Sequence, residues 1–433
     1  FLAVAEAGTE YLREHMRFVD IEDDVVYWYH GIKLDGPHEF KLFTSEFDDD
    51  YDAVPMYEQI YALAGPVQTY RVTGDPRIAA DTEATLRLFE RFFRDTERGG
   101  YFSHVDPVTM RPDAESLGAN AGRKNWNSIG DHAPAYLINY YLATGDERHL
   151  KMLQETFDLV IEHFCHRSDS PFVQERFDAD WMPDEVHSWQ QNRAVVGHNL
   201  KIAWNLSRLN NVLAKPEYDK TAAHIGQTMP AVGADLTRGG WYDVVERLVD
   251  PASGRHRFAW HDRKAWWQQE QAILAYLILA ARHGSEEFLA EARAAEAFYN
   301  TNFLDHDEGG IYFNVLANGL PYLLGTERLK GSHSMSMYHT SELCFLATVY
   351  NNLLLRGQPL DLWFRPRPAD LPGRILRVAP DLLPPGRVGI SAVTIDGEPH
   401  ADFDAEAMTA RLPAGSDPVK VQVRLQARVA GSP

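Results

Sequence analysis

Gly239-Gly240-Trp241-Tyr242-Asp243, followed by Lys264-Ala265-Trp266-Trp267-Gln268-Gln269-Glu270, sets a two-glycine turn ahead of an apolar helical run. Paired glycines supply the positive φ that a tight turn demands. The turn recurs. Gly99-Gly100-Tyr101-Phe102-Ser103 lies 140 residues earlier, and Gly309-Gly310-Ile311-Tyr312-Phe313 lies 70 residues later. Self-similarity at a fixed period marks a repeat architecture. A period of 70 holds two helices and a short β-like turn, and it calls for further copies near 169 and 29. Ser168-Asp169-Ser170-Pro171-Phe172-Val173 and Tyr29-His30-Gly31-Ile32 stand there without the paired glycines.

Helical periodicity dominates up to about residue 356. It predicts helices over 2–18, 57–72, 76–93, 133–143, 147–164, 194–213, 218–232, 265–282, 286–303 and 338–355. Within pairs the breaks are short and well signalled. Thr73-Gly74-Asp75-Pro76 and Thr144-Gly145-Asp146 give a glycine stop followed by an Asp cap, and Lys215-Pro216 and Gly284-Ser285 do similar work. Ten helices joined as antiparallel hairpins predict an all-α fold that closes into an α/α toroid. Long connections precede alternate helices (100–131, 239–263, 310–337), so functional side chains gather at one end of the ring. Beyond Gln358 the character changes. Residues 358–387 are Pro-rich and read as a linker from the 1–357 toroid. Residues 388–433 alternate apolar and polar positions around Asp396-Gly397 and Pro413-Ala414-Gly415, as a small β-rich appendage would.

With 433 residues, 45% of them hydrophobic, the chain can bury a large core. Its formal net charge of −20 disfavours nucleic acid and anionic membrane surfaces as partners. Cys165 and Cys344 are the only cysteines, which excludes a disulfide framework and a Cys-rich zinc site. No apolar run reaches the ~20 residues that span a bilayer. The expectation is a cytoplasmic protein; opening at Phe1 leaves room for a removed signal peptide. Self-association into a homo-oligomer is left open.

Three stretches offer chemistry. Gly197-His198 opens a helix with Lys201 three residues on, which puts both side chains on one face. A neutral imidazole serves as base and then acid near pH 7, and a nearby ammonium steadies a developing oxyanion. Tyr338-His339 opens the last helix with Glu342 at the same offset. Asn125-Trp126-Asn127 leads to Asp131-His132, where Asp131 reads as a helix cap. Three histidines (132, 198, 339) at equivalent helix starts would meet at one mouth. Trp266, Trp267 and Trp126, with Lys264, Gln269, Glu270, Asn127 and Asp131, suit a polyhydroxylated ring, since indoles cover C–H faces while polar groups pair with hydroxyls. No two histidines share helical zinc spacing, and no P-loop, dinucleotide fingerprint or Gly-x-Ser-x-Gly elbow is present, so no metal or cofactor is assigned.

At these residues the chain resembles the N-acylglucosamine 2-epimerase family, which includes cellobiose 2-epimerases and mannose isomerases. The likeness lies in Gly-Gly-Trp-Tyr with Lys264-x-Trp266-Trp267-x-Gln269, in Gly197-His198 with Trp204 and Leu206, in Tyr338-His339, and in Tyr140-Tyr141-x-Ala-Thr-Gly-Asp146. It covers about 2–355. The resemblance implies an (α/α)6 barrel and cofactor-free proton transfer next to the carbonyl of an open-chain sugar through a cis-enediolate. His198 and His339 would be base and acid, and Trp266 and Trp267 sugar platforms. The chain departs from the pattern where the family's glutamate after the Gly-His histidine is Lys201, its arginine on the second helix falls at Tyr61, and the glutamate after its tryptophan pair falls at Gln271. One family hairpin has no counterpart. The competing readings are a glycoside hydrolase or polysaccharide lyase, with Asp131 or Glu270 as acid and His132 or His198 as base, a non-catalytic binding relative, and a carbonyl ligand held as a Schiff base on Lys201.

Overall fold

The computed structural model describes residues 1–47, 50–165, 169–184, 192–259, 261–331 and 335–428. Among these, ten helical runs alternate between an outer and an inner ring. The outer helices are α1 (2–16), α3 (76–93), α5 (147–165), α7 (Pro216–Gly233) and α9 (Glu286–Asn302). The inner ones are α2 (56–73), α4 (126–144), α6 (Val196–Leu213), α8 (Trp266–His283) and α10 (338–355). Sequence decides which ring a helix joins. α9 buries Phe288, Ala292, Ala295, Phe298 and Tyr299, a single stripe at helical spacing, while nearly every side chain of α8 is buried. Hairpin breaks follow their signals. Gly74 and Gly145 end α2 and α4 in the left-handed region, at φ 68° and 66°. Asp75 and Asp146 then cap the next helices, accepting from Arg77 N and Arg148 N at 2.9 Å. The ring closes where Tyr61 of α2 meets Tyr338 of α10 edge-on, with centroids 5.1 Å apart. The chain is thus an α/α toroid, with five inner helices among the described residues.

The glycine turns are one device used three times. Asp95, Asp235 and Asp305 each donate their N–H to the carbonyl of the second glycine and accept at their own carbonyl from the first. All six glycines sit at φ between 75° and 84°. Each aspartate carboxylate also accepts two backbone N–H groups of its turn. Lysines lock these turns from the next inner helix or its loop. Lys124 reaches Asp95 at 2.7 Å, Lys264 reaches Asp235 at 2.9 Å, and Lys330 pairs with Asp305.

A side-chain amide then grips the chain just past the turn. Gln269 accepts from Trp241 N and donates to Trp241 O, both at 2.7 Å. Gln59 treats Trp28 identically at 2.8 Å, and Asn199 accepts from Val173 N at 2.9 Å. Short antiparallel pairs stitch successive repeats: Val54–Pro55 with His104–Val105, Lys124–Asn125 with Arg176–Phe177, Arg193–Val195 with Val244–Glu246, and Lys264–Ala265 with Asn314–Val315. The copy expected near 29 therefore centres on Trp28, because Gln59 clamps that residue, while Gly31 opens a separate hairpin (Gly31–Asp35 with His38–Leu42). In the copy near 169, Ser168 lies outside the described residues. Asp169 there pairs with the buried Arg247 at 2.6 Å in place of a glycine turn. The pairing of Arg17–Asp20 with Val25–Trp28 follows α1 and was not anticipated.

The C-terminal part forms a four-stranded sheet, ordered Leu360–Phe364, Val421–Ala427, Val388–Ile395, Glu398–His400, and a three-stranded one. Asp396 (φ 52°) and Gly397 (φ 93°) make the expected hairpin turn. Residues 358–387, whose prolines suggested a linker, supply two of these strands and a plug for the toroid base. Arg208 of α6 grips buried Asp381 with Nε at 2.9 Å from both oxygens, Tyr350 of α10 donates to Asp381 at 2.9 Å, and Asn211 donates to Leu382 O at 2.7 Å. No described helix is long and apolar enough to cross a membrane.

Breaking a buried ion pair strands the remaining charge, at a cost of about 3–5 kcal/mol. Lys264→Met should therefore lower unfolding stability by about that much, and Lys264→Met with Asp235→Asn should recover part of it, as read by urea denaturation.

Candidate active site

Tyr61, Asp131, Lys201 and Gln271 are the sixth residues of α2, α4, α6 and α8, each 70 residues from the last, so they form one layer around the toroid axis. Lys201 is its centre. Its ammonium donates to Asp131 Oδ1 at 2.6 Å and to the Tyr61 hydroxyl at 2.8 Å. Lys201 and Asp131 side chains are each 2% exposed, so this is a desolvated pair whose members need one another. Two of the three ammonium protons are spoken for, which leaves one for a ligand. Burial and the Asp131 charge hold the Tyr61 phenol well above its ordinary pKa, so it stays protonated. Gln271 accepts from Trp204 Nε1 at 2.8 Å, and its amide nitrogen lies 3.3 Å from His339 Nδ1.

Two imidazoles stand above this layer, and both meet the same indole. His198 is the third residue of α6; its Nδ1 lies 2.7 Å from Glu175 Oε2, and its ring centroid is 5.3 Å from Trp267. Glu175 is itself held by Val195 N at 3.1 Å. With Nδ1 engaged, Nε2 is the nitrogen of His198 left for chemistry. His339 is the second residue of α10 and stacks on Trp267 at 5.6 Å and 23°. Burial pushes its pKa below the ordinary imidazole value, the Lys201 charge pushes the same way, and Glu342 at 3.9 Å opposes. Both rings keep some surface open, 16% for His198 and 15% for His339. Trp267 can lie against α6 because residue 197 is glycine: a Cβ there would sit 2.7 Å from Trp267 Cζ3.

The remaining sequence candidates divide. Trp126 backs His198 at 5.9 Å from within the core, and Asn127, half-buried, follows it on α4. Trp266 is buried against Phe313 at 4.8 Å, behind His339 rather than beside Trp267. Lys264 and Gln269 spend their hydrogen-bonding capacity on the glycine turn, with Lys264 also donating to Gly239 O at 2.6 Å and Ala317 O at 3.1 Å. Glu270 faces between helices, accepting from Tyr299 at 2.7 Å and Thr340 at 2.6 Å, and burial raises its pKa to about 7.

Asp131 and His132 do not open a helix. α4 starts at Trp126, where Asn125 and Ser128 form a capping box. Successive helical residues point ~100° apart. Asp131 therefore meets the axis while His132 packs on Phe89 and Tyr101, with Nδ1 2.8 Å from the Tyr136 hydroxyl. Glu175 was missed by motif reading; only its place two residues beyond the clamped Val173 marks it. Among the described residues no cluster of three or more His, Cys, Asp or Glu side chains could hold a metal ion.

Full burial lowers the His132 pKa to about 3. An imidazole whose folded pKa lies below its unfolded value of about 6.5 stabilises the fold above that pH and loses the contribution as pH falls. The wild type should lose roughly 1.4 kcal/mol per pH unit through His132 as pH falls from about 6.5 toward 3. His132→Leu should lack that slope in denaturation curves across this window.

The N-acylglucosamine 2-epimerase (GlcNAc 2-epimerase) family model matches residues 1–341, and the chain belongs to that family. Cellobiose 2-epimerase of Ruminococcus albus is 24% identical over 262 residues, a match spanning 59% of this chain and 61% of that enzyme, less than two thirds of its length. Among solved structures, cellobiose 2-epimerase from Bacillus thermoamylovorans B4167 superposes with a TM-score of 0.61 at 19% identity, covering 78% of this chain and 79% of that one. A D-mannose isomerase gives 0.61 at 17% identity over 80% and 81%. These superpositions establish the shared toroid fold.

Proposed function

We propose that the chain is a sugar epimerase or aldose–ketose isomerase that moves a proton next to the carbonyl of an open-chain sugar. The observation that carries this is the pair of largely buried imidazoles, His198 and His339, meeting one indole above a buried ammonium. His198, whose Nδ1–H is turned to Glu175, offers its bare Nε2 as the base that takes the proton from the carbon beside the carbonyl, and Glu175 steadies the imidazolium that forms. The electron pair moves into a cis-enediolate, whose oxygen the remaining Lys201 N–H stabilises, with Tyr61 and Asp131 fixing that ammonium in place. His339 returns a proton from Nε2, since the Gln271 amide donates to its Nδ1 and leaves the ring proton on Nε2. Return to the opposite face gives the epimer; return to the former carbonyl carbon, with the neighbouring hydroxyl proton passing to the former carbonyl oxygen, gives the isomer. Trp267 supplies the face for sugar C–H groups.

The arrangement favours proton transfer over the competing chemistries. Glu270 is turned to Tyr299 and Thr340, and Asp131 is bound to Lys201, so the two carboxylates suggested for bond cleavage do not flank a common substrate position. Lys201 Nζ is tied to Asp131 and Tyr61, which suits hydrogen bonding to an oxyanion better than attack on a carbonyl carbon.

Incubation with D-mannose or cellobiose in deuterated water, followed by NMR, should show deuterium at the carbon beside the carbonyl. His198→Ala and His339→Ala should each slow this by about 10²–10⁴. New reducing ends without deuterium, or exchange that survives both substitutions, would overturn the reading.

A further inference from the structure

The repeat register carries a second imidazole–carboxylate pair at the mouth, with the partners exchanged. In the repeat that holds His198, the helix contributes the imidazole from its third position and Glu175 comes from the loop, two residues beyond the clamped Val173. In the first repeat the clamped residue is Trp28, and two residues beyond it stands His30. The third residue of α2 is Glu58. His30 Nδ1 lies 2.8 Å from Glu58 Oε1. The fourth repeat fills the same two places with Asp243 and Gln268, which are also hydrogen-bonded. The pairing thus recurs in three copies of the repeat, and its chemistry changes from copy to copy.

The His30–Glu58 copy is built to present one oxygen. Glu46 N donates to His30 Nε2 at 3.3 Å, which fixes the tautomer with the proton on Nδ1, facing Glu58. Buried Ser45 donates to the same Oε1 at 2.8 Å. Both donors thus converge on Oε1, and no described residue bonds Oε2. The pair remains open to the surface, at 11% exposure for His30 and 14% for Glu58, much as His198 does. Tyr57, the preceding residue, packs tilted against Tyr61 of the axial layer with centroids 4.7 Å apart, so this turn of α2 borders the candidate site.

We infer that Glu58, oriented by His30 and Ser45, is a specificity-determining residue of the cup whose Oε2 accepts a hydrogen bond from a substrate hydroxyl. This rests on the proton-transfer reading of the cup. A carboxylate in that place favours neutral polyols and repels sugar phosphates and sugar acids. A hydrogen bond to a charged acceptor is worth about tenfold to a hundredfold in affinity.

The test measures kcat and KM for deuterium exchange on D-mannose and cellobiose, with calorimetric titration of the same sugars. Glu58→Ala should raise KM and Kd about tenfold or more while kcat changes little. Ser45→Ala, which only loosens the carboxylate, should give a smaller rise in the same direction, with thermal unfolding checked for both. Unchanged KM and Kd in Glu58→Ala, or a fall in kcat at unchanged KM, overturns the assignment while the shuttle stands. Weakened binding with no deuterium exchange in the wild type leaves Glu58 in place and sinks the shuttle instead. A wild type that neither binds nor exchanges either sugar overturns both.

Discussion

A single ammonium at the toroid axis ties three inner helices together. Lys201 is almost fully withdrawn from water, so its charge is tolerable only while Asp131 and Tyr61 remain within hydrogen-bond distance. That requirement fixes α2, α4 and α6 relative to one another. Gln271 adds α8 to the same layer and leads to His339 on α10. The imidazoles can share one indole because the layer beneath them sets where their helices begin.

The 70-residue register explains how so many side chains converge. Turn, locking lysine and amide clamp, used in different combinations, keep α2, α4, α6 and α8 in one register, so equal positions in these repeats fall on the same ring. Stability and chemistry occupy different rings. Gln269, Gln59 and Asn199 grip backbone, whereas positions one or two residues earlier, such as Trp267, Glu58 and His198, face the mouth. At the far end Asp381 occupies the base through Arg208 and Tyr350. The departures from the family pattern also fall in the axial layer: its cation stands on α6 as Lys201, while α2 contributes the phenol of Tyr61.

Much of this was readable in the chain. Period, hairpin breaks and caps are local signals, and apart from the start of α4 each helix lies within a few residues of its expected place. Lys201, His198, His339, Trp267 and Tyr61 do meet. The failures have physical causes. Placing the start of α4 seven residues late made His132 a mouth residue, although its position on the helix turns it into an aromatic core. Lys264 and Gln269 look like ligand groups beside indoles, yet backbone carbonyls and Asp235 consume them. Glu175 and His30 come from loops whose register becomes visible only once the clamps are known. Four-residue strands such as Arg17–Asp20 are too short to show alternation.

The most direct measurement is a crystal structure with an open-chain alditol, such as D-mannitol, bound to the protein. Its carbon chain should lie over Trp267, with His198 Nε2 and the His339 ring each within hydrogen-bond reach of the same end and one hydroxyl on Lys201. An alditol bound outside this cup, or one that leaves either imidazole out of reach of the carbons in question, would contradict a shared proton shuttle.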